Sequence, residues 1–184
     1  ANKKFGNTAL YLDGASRVTS EVSADFSIGE NHTVEAWIYP TALPPSGRYT
    51  RVMAFGPNGQ PSGYYLFQIG STGAIDCGMP RGGSVYVASP AGVISLNTWQ
   101  HLALSVQSGV AKLFVNGVKV AENLAYSSLQ NGTSVSAAIG QDPSGAYPCD
   151  YYFAGYIGGA RVTKEVGRYN SVDRFVPPAA QFPA

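Results

Sequence analysis

The chain has 184 residues, 45% of them hydrophobic, which is enough for one well-filled core and short for two. Twelve Lys and Arg stand against eleven Asp and Glu, a net charge of +1 scattered along the sequence, which argues against nucleic acid or an anionic membrane as partner. No apolar run approaches the ~18 residues that span a bilayer, and the N-terminal "ANKKFGNTALYLDG" has no apolar signal core, so a soluble chain with any secretion signal removed or never present is expected.

The hydrophobic period is close to two almost throughout. Ala9 to Asp13 and Ser16 to Thr19 open the chain as short strand candidates. In "TVEAWIYP", Val34, Ala36 and Ile38 fall on one side and Glu35, Trp37 and Tyr39 on the other, and Pro40 ends the run. Arg51 to Gly56, Tyr64 to Ile69, Ala74 to Gly78 and Val85 to Ser89 follow in the same style. The strongest local signal is an antiparallel meander: Trp99 to Gln107 and Val110 to Val115 alternate around "SG", and Asn116-Gly117 turns the chain into Val118 to Ala121. Asn-Gly suits a two-residue type I′ turn because both residues tolerate positive φ. Ala137 to Gly140 and Tyr152 to Val162 complete the set, "KEVGRYN" has room for one helical turn, and the proline-rich tail from about residue 174 to 184 is expected to lie along the domain as a tie. Short strands punctuated by 22 Gly and 12 Pro, with no internal repeat or linker, predict one all-β domain over residues 1–184, a two-sheet antiparallel β-sandwich.

Retaining glycoside hydrolysis needs two carboxylates about 5 Å apart, and no acidic residues here stand at i, i+2 or i+4 within a strand. His32 and His101 have no serine in a Gly-x-Ser-x-Gly turn to serve. His101 is expected to be a partly buried strand residue, and Trp37, Trp99, Phe114 and Ile139 to be mostly buried. Glu35 is the odd carboxylate in a central strand, costly there unless paired. Arg161, on the late strand "GGARVT", is its expected partner in a structural ion pair.

The stretch "QDPSGAYPCDYY" is longer than a hairpin requires and concentrates what a sugar site uses. Tyr147, Tyr151 and Tyr152 offer aromatic faces for C–H-rich pyranose surfaces, and Gln141, Asp142 and Asp150 offer planar polar groups for hydroxyls. Pro143 and Pro148 reduce the entropy cost of holding it. A plain connector with edge tyrosines is the alternative. Arg48 and Tyr49 in "PPSGRYTR" and Arg81 in "MPRGG" are further candidates, since Arg clamps acidic sugars or carboxylates bidentately, against the alternative of solvated loop arginines.

The segments "ALYLDGASRVT", "HTVEAWIYP", "NTWQHLALSVQSGVAKLFVNGVKV" and "AAIGQ…FAGYIGGARV" together resemble the laminin G-like, concanavalin A-like jelly rolls in order and spacing, over nearly the whole chain. The ending "RVTKEVGRYNSVDRFVPPAAQFP" resembles the close of laminin G-like modules of bacteriophage virion and tail proteins. The resemblance implies a jelly roll that binds carbohydrate or serves as an adhesive or structural module. "GQD" and "FAGYIG" are also similar to the frame of the pentraxin calcium loop, which implies calcium as a candidate ligand at Asp142 and Asp150, with Asn58 from an earlier loop that supplies no carboxylate.

The leading expectation is therefore a non-enzymatic, lectin-like module on a phage-type virion surface or tail. Its partners are glycan or neighbouring virion subunits, and an oligomeric assembly is a candidate state. The rivals are a structural decoration subunit that makes only protein contacts, and a secreted extracellular adhesin or hydrolase accessory domain. A particle protein assembled in the cytoplasm would keep Cys77 and Cys149 as thiols.

Overall fold

Alternation of apolar and polar residues puts one face of each strand into a shared core, and twelve strands result. The computed structural model describes residues 3–6, 8–56, 65–79, 85–126, 135–141 and 152–182. In chain order these strands are β1 (Leu10–Asp13), β2 (Val18–Thr19), β3 (His32–Pro40), β4 (Tyr49–Gly56), β5 (Tyr65–Gly70), β6 (Ile75–Met79), β7 (Val85–Ala88), β8 (Gln100–Gln107), β9 (Val110–Val115), β10 (Val118–Asn123), β11 (Ser136–Ile139) and β12 (Ala154–Lys164). They form two six-stranded sheets, β1-β12-β3-β8-β9-β10 and β2-β11-β4-β5-β6-β7. Every pairing is antiparallel. The fold is the expected all-β jelly-roll sandwich.

Val34, Ala36 and Ile38 of the first sheet and Phe67, Ile69 and Ile75 of the second are completely buried between the layers. Cys77, a free thiol, is buried there too, register partner to Phe67 and Val87. Burial raises its pKa well above the ordinary thiol value, as does the nearby Asp76 charge. Cys149 lies outside the described residues.

The Asn116-Gly117 turn has φ of 50° and 76°, as the type I′ expectation requires. Gly117 answers a second demand: a Cβ there would collide with the carbonyl oxygen of Phe175. The C-terminal segment runs that close because it bonds to the hairpin. The Phe175 N–H donates to the Gly117 carbonyl at 2.9 Å, and the Lys119 N–H donates to the Asp173 carbonyl at 3.0 Å. The tail is thus a tie, laid across the outward face of the first sheet. That third layer explains why β3 is buried on both faces for nearly its whole length.

Trp37 and Phe114 are buried as expected, and Trp99 and Ile139 are mostly buried with part of their surface left exposed. Trp99 precedes β8, outside the packed strand, and Ile139 lies near the short edge strand β2, which pairs with only two residues of β11. Some expectations are corrected. His101 is fully buried rather than partly so, because the tail covers it. "KEVGRYN" forms a turn at residues 168–171, not helix, and a 3₁₀ turn occurs at Ala24–Phe26, with the Asp25 N–H donating to the Ser23 hydroxyl at its N-cap. Among the described residues no helix is long and apolar enough to cross a membrane.

Candidate functional site

The two outward faces of the sandwich carry the molecule's chemistry. On the first sheet, Glu35 of β3 stands in register with Arg161 of β12. The Arg161 Nε and Nη2 groups donate to Glu35 Oε1 at 2.9 and 2.7 Å. His101 Nε2 donates to Oε2 at 3.0 Å, and so does the Tyr169 hydroxyl at 2.9 Å. Burial alone would push the Glu35 carboxyl up, but the hydrogen bonds from His101 and Arg161, the Arg161 charge and Tyr169 outweigh it and hold it below the ordinary carboxylate value. Tyr169 is pushed up to about 12 by burial and the Glu35 charge.

The tail closes this face with aromatic rings. Tyr169 stacks on Phe175 with centroids 3.7 Å apart, and the Arg161 guanidinium lies over Phe182 at 4.5 Å. Glu35 is fully buried and every lone pair it offers is engaged in structure. A general acid needs access to substrate and a proton to give, and Glu35 has neither.

Further along the same face, Tyr11, Tyr156 and Tyr39 are register partners on β1, β12 and β3, and Trp99 continues the row. Centroid spacings are 4.9, 5.9 and 5.6 Å with rings tilted or edge-on to one another, so the row is a packed ladder rather than a flat platform.

The outward face of the second sheet is covered at Arg51 and Gln68, which are buried, and reaches solvent at Ala88. Arg51, Gln68 and Asp76 form a lateral row on β4, β5 and β6, and Ala88 of β7 ends it. The Gln68 side-chain NH2 donates to Asp76 Oδ2 at 3.4 Å. Burial raises the Asp76 carboxyl, partly offset by Gln68 and by the Arg51 charge. Beside this row a pocket of about 370 Å³ is lined by Arg48, Tyr49, Ser71, Thr72 and Asp76. Its room comes from small residues, Gly70, Ala74 and Ala88. Gly70 faces Tyr49 across the β4–β5 pair, and the Tyr49 ring lies within ordinary contact of the position a Cβ would take, 3.4 Å away. The Gly47 N–H donates to the Ser71 hydroxyl and the Ser71 N–H to the Arg48 carbonyl, pinning the 46–48 loop to the β5–β6 turn.

Four sequence candidates gather at this end of the sheet. Arg48 and Tyr49 wall the pocket. Gln141 is buried where β11 ends beside β4, the Gly140 N–H donating to the Val52 carbonyl. Tyr152 is half-buried, and the Phe153 N–H returns the chain to the Gly140 carbonyl. Asp142, Tyr147, Asp150 and Tyr151 lie outside the described residues, as do Arg81 and Asn58. The strand ends flanking Arg81, Met79 and Val85, are at the opposite end of the sheet from Tyr49. Gly56, which precedes the Asn58 segment, is likewise about 13 Å along β4 from Val52, where the Asp142 segment departs. Among the described residues no three His, Cys, Asp or Glu side chains are grouped to hold a metal.

Sequence reasoning missed Asp76 and the small residues that open the pocket. The signal was present as single polar residues, Gln68 and Asp76, inside apolar strands. Their shared face depends on pairing between strands.

The sequence profile of the concanavalin A-like lectin/glucanases superfamily, in its laminin G form, matches residues 12–166. No curated protein matches the chain. Similar solved structures include the CBM40 of the Ruminococcus gnavus IT-sialidase, at 14% identity and TM-score 0.69 over 87% of this chain and 91% of that one. The native heptameric SAP-like pentraxin of Limulus polyphemus is 14% identical with TM-score 0.59, over 83% and 73%. Domain 4 of AbnA, a GH43 extracellular arabinanase from Geobacillus stearothermophilus, is 22% identical with TM-score 0.57, over 86% and 76%. At these identities the likeness is one of fold, and with the profile spanning most of the chain, the protein belongs to the concanavalin A-like lectin/glucanases superfamily.

Proposed function

We propose that the protein is a non-enzymatic, lectin-like carbohydrate-binding module that takes its glycan at the Tyr49 end of the second sheet. The observation that carries this reading is the pocket in which an aromatic wall, Tyr49, meets Arg48, Asp76 and two hydroxyl side chains. A sugar ring needs that combination: a face for its C–H surface and planar polar groups for its hydroxyls. Structural neighbours support it, since the Ruminococcus gnavus module has been solved with sialyllactose and the arabinanase domain with arabinotriose. Asp142, Tyr147, Asp150 and Tyr151, which lie outside the described residues, are proposed from the sequence as further ligand contacts.

The setting we assign is a phage-type virion surface or tail, on the resemblance of the C-terminal segment. Many copies there would raise a single-site affinity of roughly millimolar to micromolar by multivalency. A glycan array read with and without calcium tests the function. A saturable hit is expected, lost in the Arg48→Ala/Tyr49→Ala double variant and in a variant with Tyr147, Asp150 and Tyr151 replaced by Ala. No hit from the unaltered protein would favour a decoration subunit that makes only protein contacts. Loss of the hit on chelation would place calcium in the site.

A further inference from the structure

A second cavity, unrelated to the glycan pocket, lies between the sheets at their β12/β11 edge, with a volume of about 530 Å³. Its origin is topological. β1 pairs with β12 only over Ala154–Ile157, so Gly158 to Lys164 has β3 as its one strand neighbour among the described residues. On the other sheet, β2 pairs with Ala138 and Ile139 alone. Past those points no strand among the described residues closes the gap between the layers. Ala160 and Val162 of β12 line one wall, Met53, Phe55 and Ile139 the other, and Phe26 of the 3₁₀ turn stands at the lip.

Protein interiors do not keep voids of this size, and pockets of a few hundred Å³ with apolar walls are the kind that take small molecules. Lys164 lies on the same side of β12 as Ala160 and Val162 and lines the cavity, yet its ammonium forms no ion pair among the described residues. Asp25, also on the lining, already accepts the Ser23 hydroxyl at 3.1 Å as part of the 3₁₀ cap. The Arg161 guanidinium is committed to Glu35 on the opposite face. Lys164 therefore has no ion-pair partner among the described residues, beside an apolar slot whose lining also carries the Asp25 carboxylate.

We propose that this cleft binds an amphiphile with an extended apolar chain and an anionic head, the chain between the sheets and the head on Lys164. The alkyl part gains by leaving water, and the head supplies the counter-charge that Lys164 lacks.

Calorimetric titration of the full chain with dodecanoate, and with dodecyltrimethylammonium as the reversed-charge probe, tests it. Saturable dodecanoate binding in the micromolar range is expected. Lys164→Glu, at an exposed position, should weaken it by about tenfold and shift preference towards the ammonium probe. Ala160→Phe should abolish it by filling the slot. Should that variant fail to fold, as judged by circular dichroism, Lys164→Glu alone decides. Absence of saturable dodecanoate binding overturns the proposal, as does binding unaffected by Lys164→Glu.

Discussion

The two outward faces of this sandwich solve the same problem in opposite ways. Each carries a carboxylate within a strand next to an arginine, Glu35 with Arg161 on one and Asp76 near Arg51 on the other. On the first sheet the tail seals the charge from water, and four donated hydrogen bonds compensate the loss of solvent. On the second sheet Asp76 receives one long hydrogen bond and lines a surface pocket while partly buried. Net effects on the carboxyls differ in sign: Glu35 is held below its ordinary value and Asp76 above it. The lesson is that a charge fully served by its neighbours belongs to the architecture, whereas one left partly served at a concave surface is free to serve a ligand.

The strongest way to break this contrast is Glu35→Ala, which strands Arg161, His101 and Tyr169 without their acceptor. It should destabilise by about 3–5 kcal/mol, measured by chemical denaturation. A loss no larger than that of a loop variant would remove the distinction between the faces.

Acid titration comes next. His32 is buried with its Nδ1 on the Gly29 carbonyl, and burial depresses it to about 4. The unfolded chain binds the proton near 6.5 and the folded chain only near 4, so stability is full above 6.5 and falls as pH drops through that window. About 3 kcal/mol is at stake. Glu35 adds to the loss below the ordinary carboxylate value, since its depressed folded pKa gives stability that fades as the group protonates. His32→Gln should flatten the slope between pH 6.5 and 4 in a series of thermal melts.

A smaller effect separates the tail from the sheet. Tyr169→Phe keeps the ring stack on Phe175 and deletes only the hydroxyl on Glu35, a charge-assisted bond worth about 1.5–3 kcal/mol. Limited proteolysis should then cut the C-terminal segment faster than in the parent.

On the second sheet the sign reverses. Because Asp76 is raised by burial, its ionised form is disfavoured in the folded state, and it weakens the fold as pH rises from the unfolded value through the folded one. Asp76→Asn should leave the neutral-pH melting temperature unchanged or higher, where Glu35→Gln lowers it. Arg48→Ala should be smallest in stability, within about 0.5 kcal/mol, while removing glycan capture. Retained capture would separate the pocket from the function.

Much of the architecture was legible in the chain. Alternation located all twelve strands to within a few residues, and Asn116-Gly117 marked its turn, because side-chain period and turn chemistry are local properties. The pairing of Glu35 with Arg161 was also within reach, since a carboxylate in an apolar strand needs a cation and few arginines sit in strands. Its other donors were not. Tyr169 comes from a turn whose course follows from the tail's bonds to the Gly117 hairpin, and no spacing rule connects residues 35 and 169. Arg48 and Tyr49 were readable as loop candidates, but nothing near them in sequence points to Asp76.

The sequence by itself determined the sandwich, its strand period and which side chains face inward, because these depend on each residue and its near neighbours. The tertiary structure decided where the tail seals one outward face and where a pocket is left on the other. That outcome depends on where the tail docks, where β1 and β2 stop pairing, and how lateral register aligns Arg51, Gln68 and Asp76. Such alignments join positions far apart in the chain, and their energies exist only once the strands have met.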